Sequence, residues 1–114
     1  MNRNEFTNQY LRAKRFPRME DDELMKIIKD SYDRDGINLK LVIAQEECAE
    51  LIQAISKKLR GKEQNDMGIL EEMADVYIVL EFLKIAFHFD DNDILSAAEV
   101  KLRREKERMG MASN

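Results

Sequence analysis

The chain has 114 residues, 44% hydrophobic and 37% charged, with a formal net charge of −4. That length holds one core and no second domain, and the balance suits a soluble globular protein rather than a disordered tail or a membrane protein. A single cysteine, Cys48, and a single histidine, His88, exclude an intramolecular disulfide, a Cys-ligated zinc site and paired-histidine metal sites. The acidic balance gives no support to wholesale duplex DNA binding.

One proline and four glycines are too few turn-makers for a β-sandwich or barrel, which leaves an all-α chain as the expectation. A first helix is predicted from about Asn4 to Phe16, ended by Pro17. A second covers Asp22 to Tyr32, with Leu24, Ile27, Ile28 and Tyr32 as its apolar face. Asp33-Arg34-Asp35-Gly36 reads as a turn, and Asn38 as the N-cap of a long third helix that reaches Arg60 and stops at Gly61. A polar loop is predicted at 62–68, and a fourth helix from Ile69 to about Phe89. Asp90-Asp91-Asn92-Asp93 caps a fifth, Ile94 to Arg108, ended by Gly110. The whole reads as a single domain, with residues 1–37 an N-terminal helical segment and 38–108 the core. Residues 1–16 carry no apolar run of signal-peptide type, and the longest apolar stretch, Val76–Leu80, is far too short to span a bilayer. The expected location is the cytoplasm, without a membrane partner.

Carboxylates stand where apolar residues belong. Projected at about 100° per residue, the third helix shows a broad apolar arc of Ile43, Ala54, Leu51, Ala44, Ile55, Cys48, Leu41, Leu59 and Ile52. Glu47 falls inside it and Glu50 at its edge. The fourth helix is apolar nearly all round, as a buried helix is, yet it contains Glu72 between Val79, Leu83 and Val76, and Asp75 beside Phe82. Its one polar stripe holds Glu81, Lys84 and His88. A buried, uncompensated carboxylate costs several kcal/mol. No lysine or arginine stands three or four residues from any of the four acids, whereas Glu81, Glu99 and Glu105 all have such neighbours.

Two answers are open. A divalent cation bound between the helices would satisfy the acids: each i, i+3 pair sets two carboxylates about 5–6 Å apart at Cβ on one face. Ligation by oxygen alone suits Mg²⁺ or Mn²⁺, and Mg²⁺ commonly shares its site with a phosphorylated ligand. Alternatively, Arg or Lys from the first or last helix reaches in. Of the remaining chemistry-bearing residues, Cys48 reads as core, His88 as surface, and Phe82, Phe87 and Phe89 as core or dimer interface, with stacking of one of them on a base as the alternative. The basic run Lys101–Arg108 is either a solvated face or a phosphate clamp.

The strings Glu46-Glu47-Cys48-Ala49-Glu50-Leu51 and Glu71-Glu72-Met73-Ala74-Asp75-Val76 resemble the MazG-like nucleoside triphosphate pyrophosphohydrolases, whose signature is E-x-x-E, a spacer, then E-x-x-D on the next helix. The resemblance covers about residues 38–108. It implies an all-α helical bundle with two long core helices and a C-terminal helix, assembled as a dimer or dimer of dimers in which two chains complete each site. It also implies hydrolysis of (d)NTP to monophosphate and pyrophosphate, with Mg²⁺ (or Mn²⁺) held by Glu47, Glu50, Glu72 and Asp75. Glu47 or Glu50 would then activate water. The family's N-x-K-x-x-R run in the last helix, which contacts phosphate, is matched by Lys101 and Arg104, with Glu99 standing where Asn is usual. The competing expectations are a non-catalytic helical oligomerisation module, its acids met by a partner's arginines, and the same chemistry on another nucleotide such as phosphoribosyl-ATP. No nucleic acid polymer is expected as a partner.

Overall fold

The computed structural model describes residues 2–61 and 66–111. Among them are five helices and no strand: α1 (Arg3–Ala13), α2 (Asp21–Asp35), α3 (Ile37–Leu59), α4 (Asp66–Phe87) and α5 (Asp91–Arg108). The all-α class expected from composition and periodicity is the observed one. No helix is long and apolar enough to cross a membrane among the described residues.

Local chemistry explains most boundaries. Asn2 caps α1: its side chain accepts the Glu5 N–H at 2.9 Å and donates to the Glu5 carboxylate at 3.1 Å, satisfying one of the orphan donors of a helix start. Asp21, Asp22 and Glu23 fill the first turn of α2, where negative charge is favoured by the helix dipole. In α5, Asp90 and Asp93 cap each other's backbone N–H groups reciprocally, at 2.8 and 2.9 Å. That agrees with the cap expected at Asp90–Asp93.

Two predicted boundaries are corrected. Asp33-Arg34-Asp35-Gly36 is not a turn. Asp33 bonds Lys29 one helical turn back at 2.9 Å and α2 runs through Asp35, leaving Gly36 as the only residue between α2 and α3. Gly36 sits at φ +84°, donates its N–H to the Tyr32 carbonyl and accepts from the Lys40 N–H. It thus closes one helix and opens the next in a conformation that a side chain would strain. Asn38 therefore lies within the first turn of α3 and caps nothing. The predicted loop at 62–68 lies outside the described residues at 62–65, and Asp66, Met67 and Gly68 are already helical. Gly61, at φ +68°, follows the end of α3 as expected.

The core is where α2, α3 and α4 meet. Ile28, Ala44, Val79 and Phe82 are buried there, with Leu24, Tyr32, Ile43, Leu83 and Ile85 packed around them. One charged group enters it. Lys40, 4% exposed, donates to Ser31 Oγ at 2.8 Å and Asp35 Oδ2 at 2.7 Å, and its Nζ stands 4.2 Å from the Phe82 ring centroid. The long stem is buried and the ammonium fully partnered, which is the condition for tolerating it. Arg34 and Lys40 beside Asp35 hold its carboxyl well below the usual carboxylate range.

The expectation that α4 is a buried helix is also corrected. Val79 and Phe82 face the core, but Met73, Tyr77, Ile78, Leu80 and Phe87 are 41–61% exposed. Within one chain α3 covers one side of α4, α1 and α2 cover part of the rest, and an apolar stripe is left exposed among the described residues. Cys48, read as core, is exposed. Phe82 is buried whereas Phe87 and Phe89 are exposed. The helix α5 stands apart: none of its Cα atoms comes within 8 Å of α1–α4, and Leu95, Val100 and Leu102 are more than half exposed.

Candidate metal centre

Glu47 and Glu50 stand one turn apart on α3, and Glu72 and Asp75 one turn apart on α4. Because these two helices form the largest interface of the chain, the i, i+3 pairs face each other across it. One carboxylate oxygen from each of the four lies within 4.8 Å of all the others. Opposite ligands on a Mg²⁺ ion stand about 4.2 Å apart and those on a Ca²⁺ ion about 4.8 Å, so the spread of these oxygens is on the scale of a hard cation's ligand shell. Glu47, Glu72 and Asp75 are half-buried and Glu50 is exposed.

The electrostatics are those of an uncompensated cluster. Glu47 Oε2 and Glu72 Oε2 are buried without a hydrogen-bond partner. Burial, followed by the facing Asp75 and Glu50 charges, pushes the Glu47 carboxyl up to about 7. Burial also raises Glu72, with Glu50 and Asp75 adding to it. Among the described residues no lysine or arginine pairs with any of the four. The alternative in which a cation from the first or last helix reaches in is thus not what one chain displays. Arg3 of α1 comes nearest in kind, and it meets Glu71 at 3.8 Å instead. An oxygen-only ligand set is of the kind a hard divalent ion favours.

Three of the four acids, Glu50, Glu72 and Asp75, open onto a cavity of about 410 Å³ whose lining also includes Phe6, Glu71 and Ala74, a size suited to a small ligand. Phe6 and Arg3 are site residues that the sequence did not reveal. The signal available was the i, i+4 aromatic pair Phe6 and Tyr10, whose rings stack at 6.2 Å, but nothing in the sequence said which helix that face would meet. Gly68 is part of the same junction: a Cβ there would overlap the Arg3 guanidinium.

Lys101 and Arg104 are exposed on α5; that helix meets α4 through side chains at its start and brings no Cα within 8 Å of another helix, so one chain does not pack them against the acids. Arg103 bonds Glu99 at 2.8 Å along the same helix. His88 is exposed, as expected, and adopts φ +60° where α4 ends. The polar stripe is a real feature: Lys84 pairs with Glu81 at 2.5 Å and with Asp91, fastening the end of α4 to the start of α5. No protein-family model, curated protein or solved structure matches the chain.

Proposed function

We propose that the protein is a Mg²⁺-dependent nucleoside triphosphate pyrophosphohydrolase of the MazG-like kind, cleaving (d)NTP to (d)NMP and pyrophosphate. The observation that carries the reading is the convergence of Glu47, Glu50, Glu72 and Asp75 within 4.8 Å, with no cationic partner among the described residues and beside a ligand-sized cavity. The residues are those of the E-x-x-E and E-x-x-D strings, so the motif resemblance and the geometry select the same side chains.

The four carboxylates would hold the ion. Bound there, Mg²⁺ would supply charge neutralisation for a triphosphate and a more acidic water. Glu47, or Glu50 on the cavity wall, would orient the attacking water and accept its proton. Glu71, half-buried on the cavity wall and engaged by Arg3, stays outside the ligand set.

The exposed stripe on α4 and the exposed apolar side chains of α5 favour self-association as part of the same reading. Met73, Tyr77 and Leu80 recur at helical spacing and are 50–61% exposed, an apolar surface of the kind that marks an interface. In a dimer or dimer of dimers, Lys101 and Arg104 of one chain would clamp phosphates at the acids of another. A purely structural oligomerisation module would instead fill those acids with partner arginines.

Pyrophosphate release, measured across canonical and modified (d)NTPs with Mg²⁺ or with EDTA, tests the proposal. The expected result is Mg²⁺-dependent release that Glu50→Gln abolishes while the helical CD signal is kept. No release from any nucleotide, phosphoribosyl-ATP included, would overturn it.

A further inference from the structure

The cavity beside the acids has two chemically different kinds of wall. Four of its six lining residues are carboxylates, and the other two are Ala74 and Phe6, its single aromatic side chain. Phe6 comes from α1, a helix with no buried residue of its own. It lies outside the core cluster, so packing of the core does not explain its place. Its ring stacks on Tyr10 with an interplanar angle of 16°, and Lys14 lies over Tyr10 at 5.4 Å from the centroid. One face of α1 therefore carries a column of two rings and a cation, with the Phe6 end reaching the cavity.

The seat of α1 is specific as well. The Arg3 guanidinium occupies the space that a side chain at position 68 would fill, and reaches Glu71 at 3.8 Å. Gly68 is buried by this contact. A side chain there would meet the guanidinium end of Arg3 and force it out of this seat.

We propose that α1 is the selectivity element of the acidic cavity. Phe6 offers its ring as the stacking surface for the planar base of a nucleotide whose phosphates lie toward the four carboxylates. Arg3, seated on Gly68, is the positioning residue that holds it there. Every base presents a π-face, so an aromatic wall binds a base by stacking and grades bases by stacking strength. The acidic wall discriminates charge and the aromatic wall discriminates what the phosphates are attached to. This inference rests on the nucleotide reading given above.

The test separates the two ends of one ligand. KM is measured for a panel of dNTPs, and inorganic tripolyphosphate, which has phosphates and no base, is measured as a competitive inhibitor. Phe6→Ala is expected to raise KM for dNTPs about tenfold, the scale of losing one stacking partner, and to leave tripolyphosphate inhibition unchanged. Phe6→Trp is expected to restore KM and to alter the ranking among bases. Gly68→Ala, which displaces Arg3, is expected to raise KM for dNTPs in the same direction by a smaller factor. An unchanged dNTP KM in Phe6→Ala, or equal losses for dNTP and tripolyphosphate, would overturn the role of Phe6 while the wild-type activity stands. If Phe6→Ala does not fold, Phe6→Trp decides, and an unaltered base ranking overturns the proposal. A wild-type protein that hydrolyses no dNTP would overturn the nucleotide reading itself, before any variant is compared.

Discussion

Glu47 on α3 and Asp75 on α4 face each other with carboxylate oxygens within 4.8 Å, and no described cation stands between them. Two like charges at that separation disfavour each other's ionisation, and partial burial adds to the effect. The chain tolerates the arrangement by holding a proton, or by holding a metal.

The metal-free protein should therefore be most stable in mild acid. Glu47 titrates at about 7 when folded against an ordinary 4.5, so its contribution is fully present below about pH 4.5 and is lost as pH rises through 7. Glu72 shifts in the same direction. Asp35 is shifted the opposite way, and its contribution is lost only as pH falls below the ordinary 3.8. Thermal melts in EDTA should give the highest Tm near about pH 5 and a decline toward about pH 8. Melts in Mg²⁺ should lack that decline, because the ion binds the deprotonated acids. A flat profile in EDTA would contradict the account.

Glu72→Gln keeps the shape and removes one charge. In EDTA at pH 8 it should melt higher than the wild type, by roughly 4 °C for a relief on the order of 1 kcal/mol. Excess Mg²⁺ at about ten times its Kd should stabilise the wild type by about 1.4 kcal/mol and leave the variant unmoved. Differential scanning calorimetry reads both effects.

Lys40 gives a test of the core. Truncation to Ala removes a buried stem together with its bonds to Ser31 and Asp35, and should cost about 3 kcal/mol in urea unfolding. Lys40→Met keeps the stem against Phe82, and Asp35 keeps Arg34 at 2.8 and 3.0 Å. That variant should lose less than half as much. Equal losses would show that the ion pair, rather than the packed stem, is the larger contribution.

The uncovered stripe of α4 predicts association. Sedimentation should show a dimer or larger assembly, and Tyr77→Asp, which places a charge at a residue 61% exposed in the single chain, should shift it toward monomer. A wild type that stays monomeric at all concentrations would remove the interface.

The sequence revealed the acids because their defect is local. Each of the four lacks a cation at i±3 and i±4, and helical periodicity alone places them on apolar faces. The fold class and the cap at Asp90 were legible for the same reason. What was not legible is tertiary. Whether Phe82 or Phe87 reaches the core depends on which side of α4 the neighbouring helices cover. The place of Phe6 depends on how α1 meets α4, where Arg3 lies over Gly68. The turn expected at Asp33–Gly36 was lost to the Lys29–Asp33 pair and to the buried Lys40–Asp35 contact, which favour continuing α2 to its last residue before Gly36.

The central claim is that these carboxylates bind a divalent cation together, and direct Mn²⁺ binding tests it most plainly. Equilibrium dialysis should show saturable uptake of at least one ion per chain, displaced by Mg²⁺ and lost in both Glu47→Gln and Glu72→Gln. Absence of saturable uptake by the folded wild type, or uptake undiminished in the two variants, would contradict it.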